Sequence, residues 1–173
     1  MVERFQIAAE AVGAIVKRLT TLIDAACYVT TVTGTTTVAA PSLPPAIGRT
    51  LPALTLAAPA DFATAGAGIS VARAGIAATG SLLLELTDPT DRSATALPPV
   101  HLVFLDITTI VPTLADLAVL LEENLNRTSP AYLSLTTGPS RTADIERVLT
   151  IGVHGPKELH VLMLEGDASW TRG

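Results

Sequence analysis

The chain has 173 residues, 49% of them apolar and 16% charged, with 11 lysines and arginines against 16 acidic residues for a net charge of −5. That length suits one domain of ordinary size, and the apolar content excludes an intrinsically disordered chain. Twelve glycines and twelve prolines without a period exclude collagen-like and low-complexity classes, and an acidic balance with no basic stripe excludes a nucleic-acid backbone as partner. In chain order, Phe5, Ala9, Val12, Val16, Leu19 and Ile23 recur at spacings of three and four, with Glu3, Glu10, Lys17 and Arg18 mostly elsewhere around the wheel. This predicts one amphipathic helix across the opening segment. Charges in its first turns argue against a secretory leader, and no window holds 18 uninterrupted apolar residues, so no membrane span is expected. The single cysteine, Cys27, can form no intramolecular disulfide and no cluster ligand set. It reads as a small buried hydrophobe in a reducing compartment.

Residues 34–49 are rich in Thr and Pro and read as a loop, followed by a short apolar strand at 54–58. Residues 69–86 read as two strand-like pieces around Thr79-Gly80-Ser81, a hairpin or a bent strand. Residues 88–99, with Asp88-Pro89 and Pro98-Pro99, read as a surface loop, and 100–105 as a strand. Pro112, then Thr113 and Asp116 at capping-box spacing, open a helix whose apolar side carries Leu114, Leu117, Leu121 and Leu125. A strand at 132–135, a third helix over 141–151 and a strand at 159–164 complete the chain. Nearly continuous apolar runs suit strands covered on both faces, and the alternation of strands and helices after residue 100 implies right-handed crossovers. The expected fold is a single α/β domain over 1–173, three layers deep (α/β/α), with a mostly parallel sheet.

In such a sheet, ligands bind beyond the carboxyl ends of the strands, where backbone amides point outward at helix starts. Gly138-Pro139-Ser140-Arg141-Thr142 holds that place in the predicted order, between a strand and the third helix. Gly138 would let the backbone approach a ligand, Ser140 and Thr142 offer hydroxyls, and Arg141 offers a planar fork for a carboxylate or phosphate. Equally, the segment can be an N-cap turn whose arginine meets a surface carboxylate. Thr79, Gly80 and Ser81 form a second candidate turn with amide and hydroxyl donors, and Arg92 is a candidate second cation. His101 and His160 open their strands and His154 follows the third helix, which places all three at the amino-terminal edge, opposite the expected ligand face. No metal site is expected, no GxxxxGK[ST] loop occurs, and no serine–histidine–acid combination stands out, although such sets need not be local in sequence. No catalytic residue is assigned.

Thr136-Thr137-Gly138-Pro139-Ser140-Arg141-Thr142-Ala143-Asp144-Ile145-Glu146 and Gly152-Val153-His154-Gly155-Pro156-Lys157-Glu158-Leu159-His160 resemble the lactate utilization protein C family, of the LUD domain group. The resemblance runs from about Gly66 to Leu164 and takes in Ala77-Ala78-Thr79-Gly80-Ser81-Leu82, Arg92, Leu97-Pro98-Pro99-Val100-His101 and Ile110-Val111-Pro112. It implies a cytoplasmic, non-redox accessory component of L-lactate oxidation to pyruvate, with no cofactor of its own. It also implies two partner proteins that carry iron-sulfur clusters, and a fold like that of ribose-5-phosphate isomerase, glucosamine-6-phosphate deaminase and CoA transferases. Relative to the family the chain is short at its N-terminus, pointing to a lost helix or linker rather than a lost core, and Ala78 stands where an acidic residue is usual. On this reading Thr79, Gly80, Ser81, Arg92, Gly138, Ser140, Arg141 and Thr142 bind a small organic acid or other anion, and His154 meets a partner. Two alternatives remain open. One is a freestanding isomerase- or transferase-like enzyme acting on a phosphosugar or a CoA thioester, whose transferase version needs a glutamate nucleophile for which Glu85 and Glu146 are the nearby candidates, neither in a recognisable acceptor context; the other is a structural scaffold.

Overall fold

The computed structural model describes residues 1–51, 53–126, 128, 131–142, 150–151 and 155–165. Helix α1 (Val2–Ala11) buries Phe5 and Ala9, and it stops well short of the expected end. Gly13 has φ +92°, and Ile15 and Val16, β-branched, begin strand β1 (Ile15–Leu19). Helix α2 (Leu22–Thr33) then starts afresh, because the Thr21 hydroxyl accepts from the Asp24 amide while the Asp24 carboxylate accepts from the Thr21 amide. The three-and-four spacing thus spans a helix, a strand and a second helix. Cys27, on α2, is exposed rather than buried.

Residues 34–49 hold strand β2 (Val38–Ala39) and most of helix α3 (Pro45–Thr50). The apolar run at 54–58 forms no strand: it touches β2 through one isolated bridge, Val38 to Leu56, and leaves Leu56 exposed. A 3-10 turn (Pro59–Thr64) leads into β3 (Ala67–Val71), β4 (Ala74–Ile76) and β5 (Ser81–Glu85). Strands β4 and β5 form the expected hairpin around residues 79–81. Residues 88–99 are not a loop: helix α4 (Pro89–Ala96) starts there, capped by the Asp88 carboxylate on the Thr90 amide with Pro89 at its first position. Strand β6 (Val100–Asp106), short strand β7 (Ile110–Val111), a 3-10 turn (Leu114–Leu117) and helix α5 (Ala118–Leu125) follow, with the Thr113–Asp116 capping box formed as the spacing predicts. Next come β8 (Leu133–Thr136), β9 (Arg141–Thr142), β10 (Thr150–Ile151) and β11 (Glu158–Leu164). Both ends of the expected third helix are therefore strand, since β9 and β10 pair antiparallel; its middle, residues 143–149, lies outside the described residues.

The central sheet has the order β1-β11-β6-β3-β2 and is parallel throughout. Helices α2 and α3 cover one face, where Leu102, Phe104, Leu162 and Leu164 meet Ala25, Val29 and Ile47. The other face packs on a second sheet, β7-β4-β5-β8, and on α1: Val103, Leu105, Val161 and Met163 meet Leu82, Leu84, Phe5 and Ala9. Strand β5 is buried on both sides because Leu83 points outward under Leu117 and α5. Each such fully buried leucine contributes about 2 kcal/mol, which explains why β5, β6 and β11 read as continuous apolar runs. The fold is α/β with a mostly parallel sheet between flanking helices, and it carries the second sheet in addition. Strand β8 belongs to that second sheet, antiparallel to β5, with Leu135 half exposed; it is not the doubly covered parallel strand that its composition predicts.

Candidate functional site

The change of sheet for β8 decides where its following turn goes. A strand antiparallel to β5 delivers its carboxyl end to the start of β5, so Thr137 arrives beside Ser81. The Ser81 hydroxyl lies 2.7 Å from Thr79 Oγ1 and 2.6 Å from Thr137 Oγ1, a continuous chain of three hydroxyls that ties the two predicted turns together. The two turns share a rim, opposite to the one where 138–142 was expected. The Ser140 amide donates to the Pro156 carbonyl and the Lys157 amide to the Pro99 carbonyl, just before β11 and β6 begin, so the cluster sits at the amino ends of the parallel strands.

Gly138 and Gly80 each meet a steric need there. Both have positive φ, +69° and +67°. A Cβ on Gly138 would stand 2.5 Å from the Val12 carbonyl oxygen, and one on Gly80 would stand 2.2 Å from the Ala9 nitrogen. Both glycines are required because the chain passes against the end of α1. Arg141 is part of the same contact: its Nη2 donates to the Val12 carbonyl, where cationic side chains complement the negative end of a helix. Thr142 pairs through its backbone with Thr150. Arg92 lies apart, past the far end of β5, roughly 13 Å along the strand from Ser81. Its Nη1 donates to the carbonyls of Leu86 and Thr87, and its guanidinium lies 4.9 Å from the Tyr132 ring centre. His154 lies outside the described residues.

Two cavities flank this arrangement. A cavity of about 330 Å³ at the amino rim is lined by Thr136, Thr137, Gly138, Ser140, Gly155 and His101, among others, while Arg141 is turned away from it. His101 was expected at the amino-terminal edge of the sheet; it lies there, and its imidazole forms part of the wall of this cavity. It is 2% exposed, and burial pushes its pKa down to about 4, so the ring is neutral at pH 7. Its Nε2 lies 2.8 Å from Ser70 Oγ. His160, on the opposite face of the sheet, instead joins Tyr28 Oη and Glu158 Oε2, each at 2.9 Å. Among the described residues no cluster of three metal-ligating side chains occurs.

The larger cavity, about 730 Å³, opens beyond the carboxyl end of β3 between the two sheets. Ser70, Arg73, Glu85, Asp88 and Asp91 line it, and burial holds the Asp91 carboxyl above the usual carboxylate range. Sequence reasoning passed over Ser70 and Arg73 altogether. The available signal was a polar residue inside an otherwise apolar strand run, as at Ser70 and at His101, since a buried polar side chain needs a partner on the same face.

The sequence model of the LUD domain family matches residues 53–164. An uncharacterized protein of Neisseria meningitidis is 36% identical over 106 residues, covering 61% of this chain and 45% of that protein. Lactate utilization protein C of Bacillus subtilis is 31% identical over 102 residues, covering 57% of this chain and 42% of that protein. The chain thus spans less than half the length of these relatives. The crystal structure of a DUF162 family protein from Deinococcus radiodurans superposes with a TM-score of 0.62 over 95% of this chain and 96% of that one, at 18% identity, a likeness of fold alone. No helix among the described residues is long and apolar enough to cross a membrane.

Proposed function

The chain belongs to the LUD domain family, and from that premise we propose that it serves lactate utilization as a non-redox component that binds a small organic acid in the cavity at the amino rim. Relatives named lactate utilization protein C support the process. One cysteine, exposed on α2, cannot ligate an iron-sulfur cluster, and lactate oxidation needs an electron acceptor. On this proposal the electrons leave through partner proteins, which the resemblance to lactate utilization protein C implies are two iron-sulfur proteins in the cytoplasm. The observation that supports the site is the hydroxyl chain Thr79–Ser81–Thr137, which ties the 79–81 turn to the turn that lines the cavity, although Thr79, Gly80 and Ser81 do not line it themselves.

The chemistry differs from a simple cation clamp. Arg141 is committed to the end of α1, so the acid is received by neutral donors, the hydroxyls of Thr137 and Ser140. Arg141 and Thr142 hold that turn in place, and Arg92 holds the far end of β5.

Calorimetric titration of the chain with L-lactate, pyruvate and inorganic phosphate tests this. The expected result is saturable binding of a carboxylate, weakened about tenfold in Thr137→Val, the loss of one hydrogen bond to a charged group. Reconstituted lactate oxidation with both partner proteins is the second measurement; an unchanged rate when this chain is omitted would overturn the proposal.

A further inference from the structure

The pair Ser70–His101 has no part in the hydroxyl chain, and it joins the two cavities. Ser70 lies on β3 and faces the larger cleft; His101 lies on β6 and faces the smaller cavity. Their strands are neighbours in register Gly68 to His101 and Ser70 to Val103, so the two side chains lean diagonally toward each other on one face. A serine hydroxyl 2.8 Å from an imidazole nitrogen, at the wall of a cleft of ligand size, is the arrangement that activates a hydroxyl for attack on a carbonyl. The geometry points to Ser70 as a nucleophile and His101 as its base, in a site that hydrolyses carboxylic esters.

The lining selects the substrate. Glu85, Asp88 and Asp91 put three carboxylates on the wall against the guanidinium of Arg73, with Arg92 acting on Asp88 and Asp91 from outside the lining, which leaves the wall acidic on balance. Such a wall repels the polyphosphate of a CoA thioester and accepts an ester whose alcohol is uncharged or cationic. Val71, Ala72, Leu86 and Leu120 offer apolar surface for the acyl chain. In the reaction, Ser70 Oγ adds to the ester carbonyl carbon as its proton passes to His101 Nε2. The carbonyl re-forms with cleavage of the C–O bond, and the alcohol leaves with the imidazolium proton. Water then adds to the acyl-serine and gives a proton to His101. Cleavage of the bond to Oγ returns that proton to Ser70 and releases the acid. Ester and water become acid and alcohol with no change of oxidation state. The imidazole that accepts the proton is neutral at pH 7.

The test is covalent labelling of the full chain with a fluorophosphonate, adduct mapping by mass spectrometry, and turnover of p-nitrophenyl acetate. The expected result is one adduct, on Ser70, absent from Ser70→Ala and formed about 100-fold more slowly in His101→Gln, with Ser93→Ala labelling like the unsubstituted chain. No adduct where a known serine hydrolase labels fully, an adduct on another serine, or a folded His101→Gln that labels at the original rate would each overturn the inference. Should His101→Gln fail to fold, the mapping and Ser70→Ala decide alone. Loss of carboxylate binding at the amino rim would leave this result untouched, because Ser70 opens on the other cavity.

Discussion

At its amino ends the parallel sheet is closed by backbone lying against backbone: Gly80 beside Ala8 and Ala9, Gly138 beside Val12, with the Arg141 guanidinium on the Val12 carbonyl. At the carboxyl end of β3 it opens instead into a cleft walled by charged side chains, Arg73, Glu85, Asp88 and Asp91. Backbone packed at van der Waals distance has nowhere to go when an atom is added, whereas a long, half-exposed side chain such as Arg73 at an open wall can rotate away. The first rim suits a small cavity of fixed shape lined by uncharged donors. The second suits a cleft that adapts to what enters it. Substitutions should therefore cost far more at the first rim than at the second.

The largest effect is expected for Gly80→Ala. The new Cβ meets the Ala9 nitrogen at 2.2 Å and its Cα at 2.4 Å, and the residue must keep φ +67°. Overpacking and left-handed strain together cost roughly 4 kcal/mol, equivalent to a fall of about 8–16 °C in Tm for a chain of this size. Thermal unfolding measures it directly. A loss below about 1 kcal/mol would mean that α1 moves aside freely, and the contrast between the rims would fail.

His101 gives the next largest effect, and only in acid. Burial lowers its folded pKa to about 4, below the ordinary value of 6.5. Above pH 6.5 neither the folded nor the unfolded chain carries the proton, so the group contributes nothing there. As pH falls from 6.5 toward 4, the unfolded chain takes up a proton that the folded chain refuses, and stability drops by about 3 kcal/mol before levelling off. Urea midpoints at pH 7 and pH 4, for the unsubstituted chain and for His101→Gln, isolate the effect from the carboxylates common to both. Equal acid losses in the two chains would show that water reaches the imidazole from the small cavity.

The pattern of what could be read from the sequence follows the same physics. Strands β6 and β11 were legible because both of their faces are covered, and the helix after Thr113 because its capping box needs only residues 113 and 116. The 79–81 hairpin was legible from its small turn residues. Two starts were written locally and passed over: Thr21 with Asp24 ahead of α2, and Asp88-Pro89 ahead of α4. The apolar run at 54–58 had strand composition but no sheet edge to join beyond one bridge to Val38. The candidate site was half legible. The 79–81 and 137–140 turns do meet, through the Ser81 and Thr137 hydroxyls, but composition cannot say which sheet a strand enters, and the sheet of β8 put that meeting at the amino rim. The pairing of Ser70 with His101, 31 residues apart, is a property of strand register and is invisible before the register is known.

The smallest effect is expected for Arg73→Ala. Its guanidinium is half exposed and its Nε stands 3.6 Å from Glu85 Oε2, beyond hydrogen-bond length, so its removal should cost at most about 0.5 kcal/mol. Urea unfolding of the purified variant checks this. A cost of several times that size would mean that Arg73 braces the cleft, and the carboxyl rim would then be as fixed as the amino rim. If the cost is small, the variant has a further use. It removes one positive charge from the wall, so its esterase activity should shift further toward cationic alcohols with the fold intact, and the charge of the wall can be read separately from its shape. No substitution at Gly80 or Gly138 allows that separation, because at those positions the atoms that shape the cavity are also the atoms that hold α1 in place.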